Sequence, residues 1–235
     1  KAESEAGEAF ALNEAGARAV AETAAWLAVP LIQISTDYVF DGAKDSPYRE
    51  TDVPAPVSVY GASKLAGEAA IAAATNDHVI LRLAWVYSPF GVNFVRTMLR
   101  LAETREEIAV VADQVGGPTS AHDIAAAIAQ IAANLVARPG AQALRGVFHL
   151  SPEGEASWAE LAGAVFEHSR RRGGPSARVR PITTAEYPTP ARRPANSRLD
   201  GAKLAAAHGV PLPPWRVSLA ACVDRLVGPA ETGTK

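Results

Sequence analysis

The sequence predicts an α/β fold built on a parallel sheet, and two observations predict it. Short apolar runs at 31–35 and 79–83 alternate with longer stretches of helical periodicity, the pattern of strands buried on both faces and crossed by helices. The first run gives way to Thr36, Asp37 and Tyr38. These are two hydroxyls and a carboxylate at a strand's carboxyl end, where open α/β sheets bind ligands. Such residues also favour turns, so position alone leaves a capping cluster open. At 235 residues, 48% hydrophobic and 20% charged, the chain can bury a full core in one or two domains.

The elements follow in order. Residues 8–27 place Phe10, Leu12, Ala17, Val20, Ala24 and Leu27 on one helical stripe. A strand at 31–35 follows Pro30. Residues 41–56 carry Asp-Gly, Ser-Pro, Val-Pro and Ala-Pro pairs and form a loop. A helix begins near Tyr60 and runs through alanines to 74. The run from 79 toward Val86 is the next parallel strand, with Ala84, Trp85 and Tyr87 at its end. Asn93 caps a helix over 93–101, and a strand at 108–111 leads into a loop at 113–119. The two glycines of that loop let backbone approach a ligand. A helix over 120–136 aligns Ile124, Ile128, Ile131 and Leu135. After a strand at 147–150, Ser157 and Glu160 form a capping box for a helix to 171, and 179–182 is a strand. Pro188, Pro190 and Pro194 exclude regular helix and favour a stiff extended loop holding Arg192, Arg193 and Asn196. Helices at 200–208 and 215–227 close the chain.

One pair of residues carries chemistry. Tyr60 and Lys64 stand one helical turn apart and share a face. A cation beside a phenol favours the phenolate, so Lys64 is expected to lower the Tyr60 pKa and make the pair a general acid and base. An ordinary Tyr–Lys contact on an exposed helix has the same spacing, and context must decide. For Arg192 and Arg193, a linker is the plain alternative to forked donors suited to a diphosphate.

Six segments supply the context: STDYVFDG at 35–42, ETDVPAPVSVYGASKLAGE at 50–68, LRLAWVYSPFGVNFVRTML at 81–99, DQVGGPTSAHDIA at 113–125, GVFHLS at 146–151 and YPTPARRPANSRLD at 187–200. Together they resemble the extended short-chain dehydrogenase/reductases and, more narrowly, the dTDP-4-dehydrorhamnose reductase family. The resemblance implies a Rossmann-like, doubly wound parallel sheet lacking its N-terminal βαβ units, with a smaller interleaved α/β substrate domain. It assigns 1–92 and 119–153 to the dinucleotide-binding domain, and 93–118 and 154–235 to the nucleotide-sugar domain. The helix over 8–27 packs on the sheet beside the cofactor. The implied reaction is reduction of the C4 keto group of dTDP-4-dehydro-L-rhamnose by NADPH or NADH. In it Tyr60 protonates the oxygen, Thr36 gives it a second hydrogen bond, and Lys64 also binds the nicotinamide ribose. Asp37 and Trp85 orient the deoxysugar, with core filling the plain alternative for Trp85, and Arg193 serves the substrate. A reductase or epimerase of another nucleotide sugar fits the same residues. So does a non-catalytic regulatory homologue, although it has no physical need for all of Thr36, Tyr60 and Lys64.

A dinucleotide fold opens with a strand, a glycine-rich turn and a helix, and no stretch of this sequence matches. About two βαβ units are therefore expected before Lys1, and the chain by itself is expected not to hold the dinucleotide. The resemblance also includes a Mg²⁺ site at a dimer interface in some members, at a carboxylate just after Pro-Thr. Here His122 stands there, followed by Asp123. Imidazole is a poor ligand for a hard cation, so no metal is expected and a homodimer is left open.

Composition narrows the rest. A net charge of −2 gives no electrostatic footprint for nucleic acid. The single Cys222 forms no intrachain disulfide, consistent with a reducing cytoplasm, and it is expected to be buried. No apolar run has the length of a membrane span, and the five histidines lack metal-ligand spacing.

Overall fold

The structure, a computed structural model, describes residues 1–189 and 191–228. Two compact units interleave along the chain. The first takes Lys1–Ala84, Ala125–Ser151 and Thr189–Leu212; the second takes Trp85–Ile124, Pro152–Pro188 and Pro213–Lys235. These units part from the boundaries expected from sequence at 85–92, 119–124, 152–153 and 189–212. The stretch 189–212 packs with the first unit because it pairs with the loop around Tyr48: Tyr48 N donates to the Arg198 carbonyl and Asp200 N to the Tyr48 carbonyl, both at 2.8 Å. Trp85 opens the second unit because the backbone turns there, with a left-handed φ of 48°.

The first unit begins with α1 (Ala6–Phe10), a π-helical turn (Ala11–Gly16) and α2 (Ala17–Leu27). The expected stripe is only partly realised. Ala9, Ala17, Ala21 and Ala24 are buried, whereas Leu12 is 75% exposed and Val20 and Leu27 are also exposed. The π turn rotates the helix faces out of simple 3.6-residue register, and small alanines allow close packing. A Cβ at Gly67 would strike the Asn13 carbonyl oxygen.

The chain then forms β1 (Leu31–Thr36), α3 (Val59–Ala74) and β2 (His78–Leu83). Thr36 pairs with Leu83 at the end of a parallel ladder that starts at Leu31 and His78. Every residue of β2 is buried, which accounts for its apolar sequence apart from His78 and Arg82.

In the second unit come β3 (Val86–Tyr87), α4 (Phe94–Ala102), β4 (Glu107–Val111), β5 (Val115–Gly116) and β6 (Thr119–Ser120). The Asn93 side chain caps α4 by accepting from Arg96 N at 3.3 Å. Helix α5 (Ala121–Ala137) carries the chain back to the first unit. There β7 (Gly146–His149) lies parallel to β2, giving the order β1-β2-β7. The second unit resumes with β8 (Ala156–Ser157), α6 (Trp158–Arg171) and β9 (Arg178–Ile182), which pairs parallel with β4. The capping box of Ser157 and Glu160 is present. Short β10 (Asn196–Ser197) and α7 (Ala202–His208) belong to the first unit, and α8 (Trp215–Val227) to the second. The core of the second unit packs Tyr87, Val95, Ile108, Phe166, Trp215 and Cys222 among others. No described helix is long and apolar enough to cross a membrane.

Candidate active site

Thr36 ends β1 and is buried, as is Asp37 after it. The Thr36 hydroxyl accepts from Tyr38 N at 3.2 Å and donates to Asp37 Oδ1 at 3.1 Å. This capping pattern starts a short 3₁₀ turn, Asp37–Val39. Burial pushes the Asp37 carboxyl up to about 6, against the hydroxyls of Ser197 and Thr36, which pull it down. Its Oδ2 has no hydrogen-bond partner among the described residues.

Helix α3 delivers the other two groups. The Ser58 side chain caps it by accepting from Gly61 N at 3.1 Å. The Glu3 carboxylate adds to this by accepting from Val59 N at 3.0 Å and Tyr60 N at 3.4 Å, favourable at the positive end of a helix. Gly61 lets the first turn sit directly on the Tyr38 backbone, since a Cβ there would run into the Tyr38 carbonyl oxygen. Two glycines weaken an isolated helix; here Gly61 allows the close approach to the Tyr38 backbone and Gly67 the close approach to Asn13.

Tyr60 is 38% exposed, and its ring meets Tyr38 edge-on at 5.8 Å between centroids. Burial raises its pKa, the Thr36 hydroxyl facing it lowers it, and Asp37 raises it. Lys64 donates from Nζ to the Ile34 carbonyl at 2.8 Å. Burial lowers the Lys64 pKa, with Glu68 acting to raise it. The expected lowering of the phenol by Lys64 is not found: the ammonium bonds to the Ile34 carbonyl, Lys64 is not among the causes of the Tyr60 shift, and burial sets its direction.

The first unit thus brings together Thr36, Asp37, Tyr60 and Lys64. Arg193 is in the same unit and exposed, close enough for its charge to lower the pKa of Tyr38, which burial raises. Pro190, in the same loop, lies outside the described residues. Tyr38, read from the sequence as one of the polar groups at the strand's end, belongs to this cluster. So does Ser197, which no chemical reason singled out; its place inside the segment at 187–200 was the only signal.

Trp85 lies in the second unit. Its indole stacks on Trp158 at 3.6 Å between centroids, with 11° between planes. Trp158 in turn donates from Nε1 to Gln114 Oε1 at 3.1 Å. A Cβ at Gly116 would come within 2.6 Å of the Trp85 ring. The glycine expected to admit a ligand to the loop backbone instead admits this indole. In the same unit Arg225 Nη1 lies 3.2 Å from His122 Nε2, and Ser218 donates to Asp123 at 2.5 Å. Among the described residues no group of three His, Cys, Asp or Glu side chains is placed to hold a metal ion.

Comparison with known proteins decides the family. The family described as RmlD substrate binding domain matches residues 1–227. The chain belongs to that family. A protein of Sinorhizobium fredii named dTDP-4-dehydrorhamnose reductase is 56% identical over 218 residues, which cover 93% of this chain and 73% of the relative. The Escherichia coli protein of the same name is 42% identical over 96% of this chain and 75% of its own length. Among solved structures, a dTDP-4-dehydrorhamnose reductase of Clostridium acetobutylicum superposes with a TM-score of 0.88 at 36% identity, covering 96% of this chain and 76% of that one. One from Bacillus anthracis, solved in complex with NADP, gives 0.86 at 37% identity over 94% of this chain and 74% of that one. These likenesses establish the α/β, Rossmann-like fold of the extended short-chain dehydrogenase/reductases for this family member.

Proposed function

We propose that the chain carries the reducing site for dTDP-4-dehydro-L-rhamnose, with Tyr60 as the proton donor to the C4 oxygen. One observation carries the reading. Tyr60 comes off α3 beside the turn that follows β1, its ring edge-on to Tyr38 and close enough to the Thr36 hydroxyl for it to lower the Tyr60 pKa, and Lys64 is fixed to the Ile34 carbonyl one turn along the same helix. The name shared by the S. fredii and E. coli relatives supports the substrate, and the NADP bound to the B. anthracis structure supports a nicotinamide cofactor.

NADPH or NADH, when bound, supplies the hydride that reaches C4. Negative charge then gathers on the former carbonyl oxygen. Tyr60 transfers its proton there, leaving a phenolate that is reprotonated from solvent, and Thr36 stabilises the charge with a hydrogen bond. The Thr36 proton, directed at Asp37 Oδ1 in this structure, turns to the oxygen as charge builds. A phenol whose pKa is raised is fully protonated at neutral pH, which is the form a donor needs.

The residues present fit the nicotinamide end of the cofactor. Lys64 spends one of its three donors on Ile34 and has two left for ribose hydroxyls. The turn after β1, Asp37–Val39, contains no glycine, so it offers the diphosphate no cradle. Asp37 and Trp85 are assigned to the deoxysugar, and Arg193 to the charged nucleotide end. The lone Cys222 supports a cytoplasmic setting.

The test is Tyr60→Phe in a protein that carries this chain behind an intact glycine-rich dinucleotide-binding segment, assayed with NADPH and dTDP-4-dehydro-L-rhamnose. Turnover is expected to fall by about two orders of magnitude or more with dinucleotide binding retained. Equal turnover in mutant and parent sinks the assignment.

A further inference from the structure

Helix α3 carries a third polar residue on the face of Tyr60 and Lys64. Glu68 is one further turn along, buried at 5% exposure, and Tyr60, Lys64 and Glu68 follow at spacings of four. Its carboxylate takes a hydrogen bond from the Ser35 hydroxyl of β1. It is also gripped by Arg82 of β2, from Nε at 3.0 Å and from Nη2 at 2.6 Å. Ser35 and Arg82 are themselves partners in the β1–β2 register. Two successive residues of β1 are therefore bonded to α3, Ile34 receiving Lys64 and Ser35 holding Glu68, and the next, Thr36, is near enough to Tyr60 to lower its pKa.

We propose that Glu68 is a positioning residue for the Tyr60–Lys64 pair, holding it over Thr36 through its bonds to Ser35 and Arg82. The inference rests on the reading of Tyr60 and Lys64 given above. Stability alone is a poor reason for the arrangement, because a buried ion pair often adds nothing over a well-packed apolar pair. What an apolar pair cannot supply is a fixed rotation of α3 against β1 and a negative charge beside Lys64. Around the ammonium stand the Ile34 carbonyl, to which the Gln33 side-chain amide also donates at 3.0 Å, and Glu68 on α3, with Arg82 on β2 bound to Glu68. On the far side of Arg82, His149 of β7 is its register partner. Burial holds His149 neutral, with a pKa near 3, so it adds no charge.

The test reads Lys64 directly and needs no turnover. The protein is reductively methylated with ¹³C-formaldehyde, and the Lys64 dimethylamine signal is titrated by NMR in the parent, Glu68→Gln, Arg82→Gln and Ser35→Ala. Glu68→Gln is expected to move the Lys64 midpoint down, because a neighbouring negative charge is lost. Arg82→Gln is expected to move it up, because the carboxylate loses its counter-charge. Ser35→Ala keeps both charges and is expected to broaden the signal by freeing the tether. If Glu68→Gln or Arg82→Gln fails to fold, the remaining sign and the Ser35→Ala line width decide. A midpoint and line width unchanged in every folded variant would overturn the proposal and leave Glu68 a purely structural group. If the shifts appear while Tyr60→Phe leaves turnover intact, the positioning stands and the reading of Tyr60 as donor falls.

Discussion

In the first unit the end of β1 is held by polar groups: Glu68 bridges Ser35 and Arg82, Lys64 bonds the Ile34 carbonyl, and Glu3 caps the helix that carries Tyr60. In the second unit Trp85 is held by shape, stacked on Trp158, seated against Gly116 and turned into a left-handed backbone. The difference matches what each side chain is proposed to do. Proton donors need their direction and charge environment fixed, which hydrogen bonds and ions provide. An aromatic wall needs only its plane fixed, which stacking and a close backbone provide at no electrostatic cost.

The largest effect is expected from breaking the polar side. Arg82→Met leaves the Glu68 charge buried and unpaired, and should cost about 3–5 kcal/mol in urea unfolding. The double variant Arg82→Met, Glu68→Gln should recover much of that loss. A single variant as stable as the parent would mean that the pair is more hydrated than its burial indicates.

Next comes Asp37→Asn. The Asp37 pKa lies near 6, above the ordinary carboxylate value of 3.8, so between those values the folded protein binds the extra proton. Its carboxylate therefore destabilises the fold above pH 6, and the penalty is relieved as pH falls toward 4. Asp37→Asn should be more stable than the parent at pH 8 by about 2–3 kcal/mol, with the gap closing near pH 4. His149 works in the opposite direction. Buried and neutral with a pKa near 3, it withdraws stability as pH falls below the ordinary histidine value of 6.5. Only the difference between mutant and parent isolates Asp37. A gap that does not vary with pH would remove the burial argument.

The smallest effect belongs to the aromatic side. Gly116→Ala crowds the Trp85 ring and should cost about 1–3 kcal/mol with a change in tryptophan emission. The Lys64 titration should be untouched. Movement of Lys64 in that variant would show that the two arrangements are not independent.

How much of this was legible depends on which residues carry local signals. The apolar run before Thr36, the Ser157–Glu160 box and the Asn93 cap are local, and the structure shows all three where the sequence puts them. Tyr60 and Lys64 were legible as one face of a helix because four-residue spacing is a property of the helix itself. The partners of that face were not. Glu68 shares the spacing, and Arg82 is a charge inside a run of apolar residues, a sign that it needs a buried partner; nothing local says that the two meet. The π turn at Ala11–Gly16 was hidden for the same kind of reason, since it is set by packing against α3. So was the seat of the Trp85 indole, which Gly116 makes room for from thirty-one positions away.

The central claim is that Thr36 and Tyr60 act on one oxygen as a unit, and a double-mutant cycle in turnover tests it most directly. Thr36→Val, Tyr60→Phe and the double variant, each behind an intact dinucleotide-binding segment, are compared with the parent so extended in reduction of dTDP-4-dehydro-L-rhamnose. The account predicts that the double variant is hardly slower than Tyr60→Phe alone. Losses that simply multiply would show two groups working independently, and would contradict it.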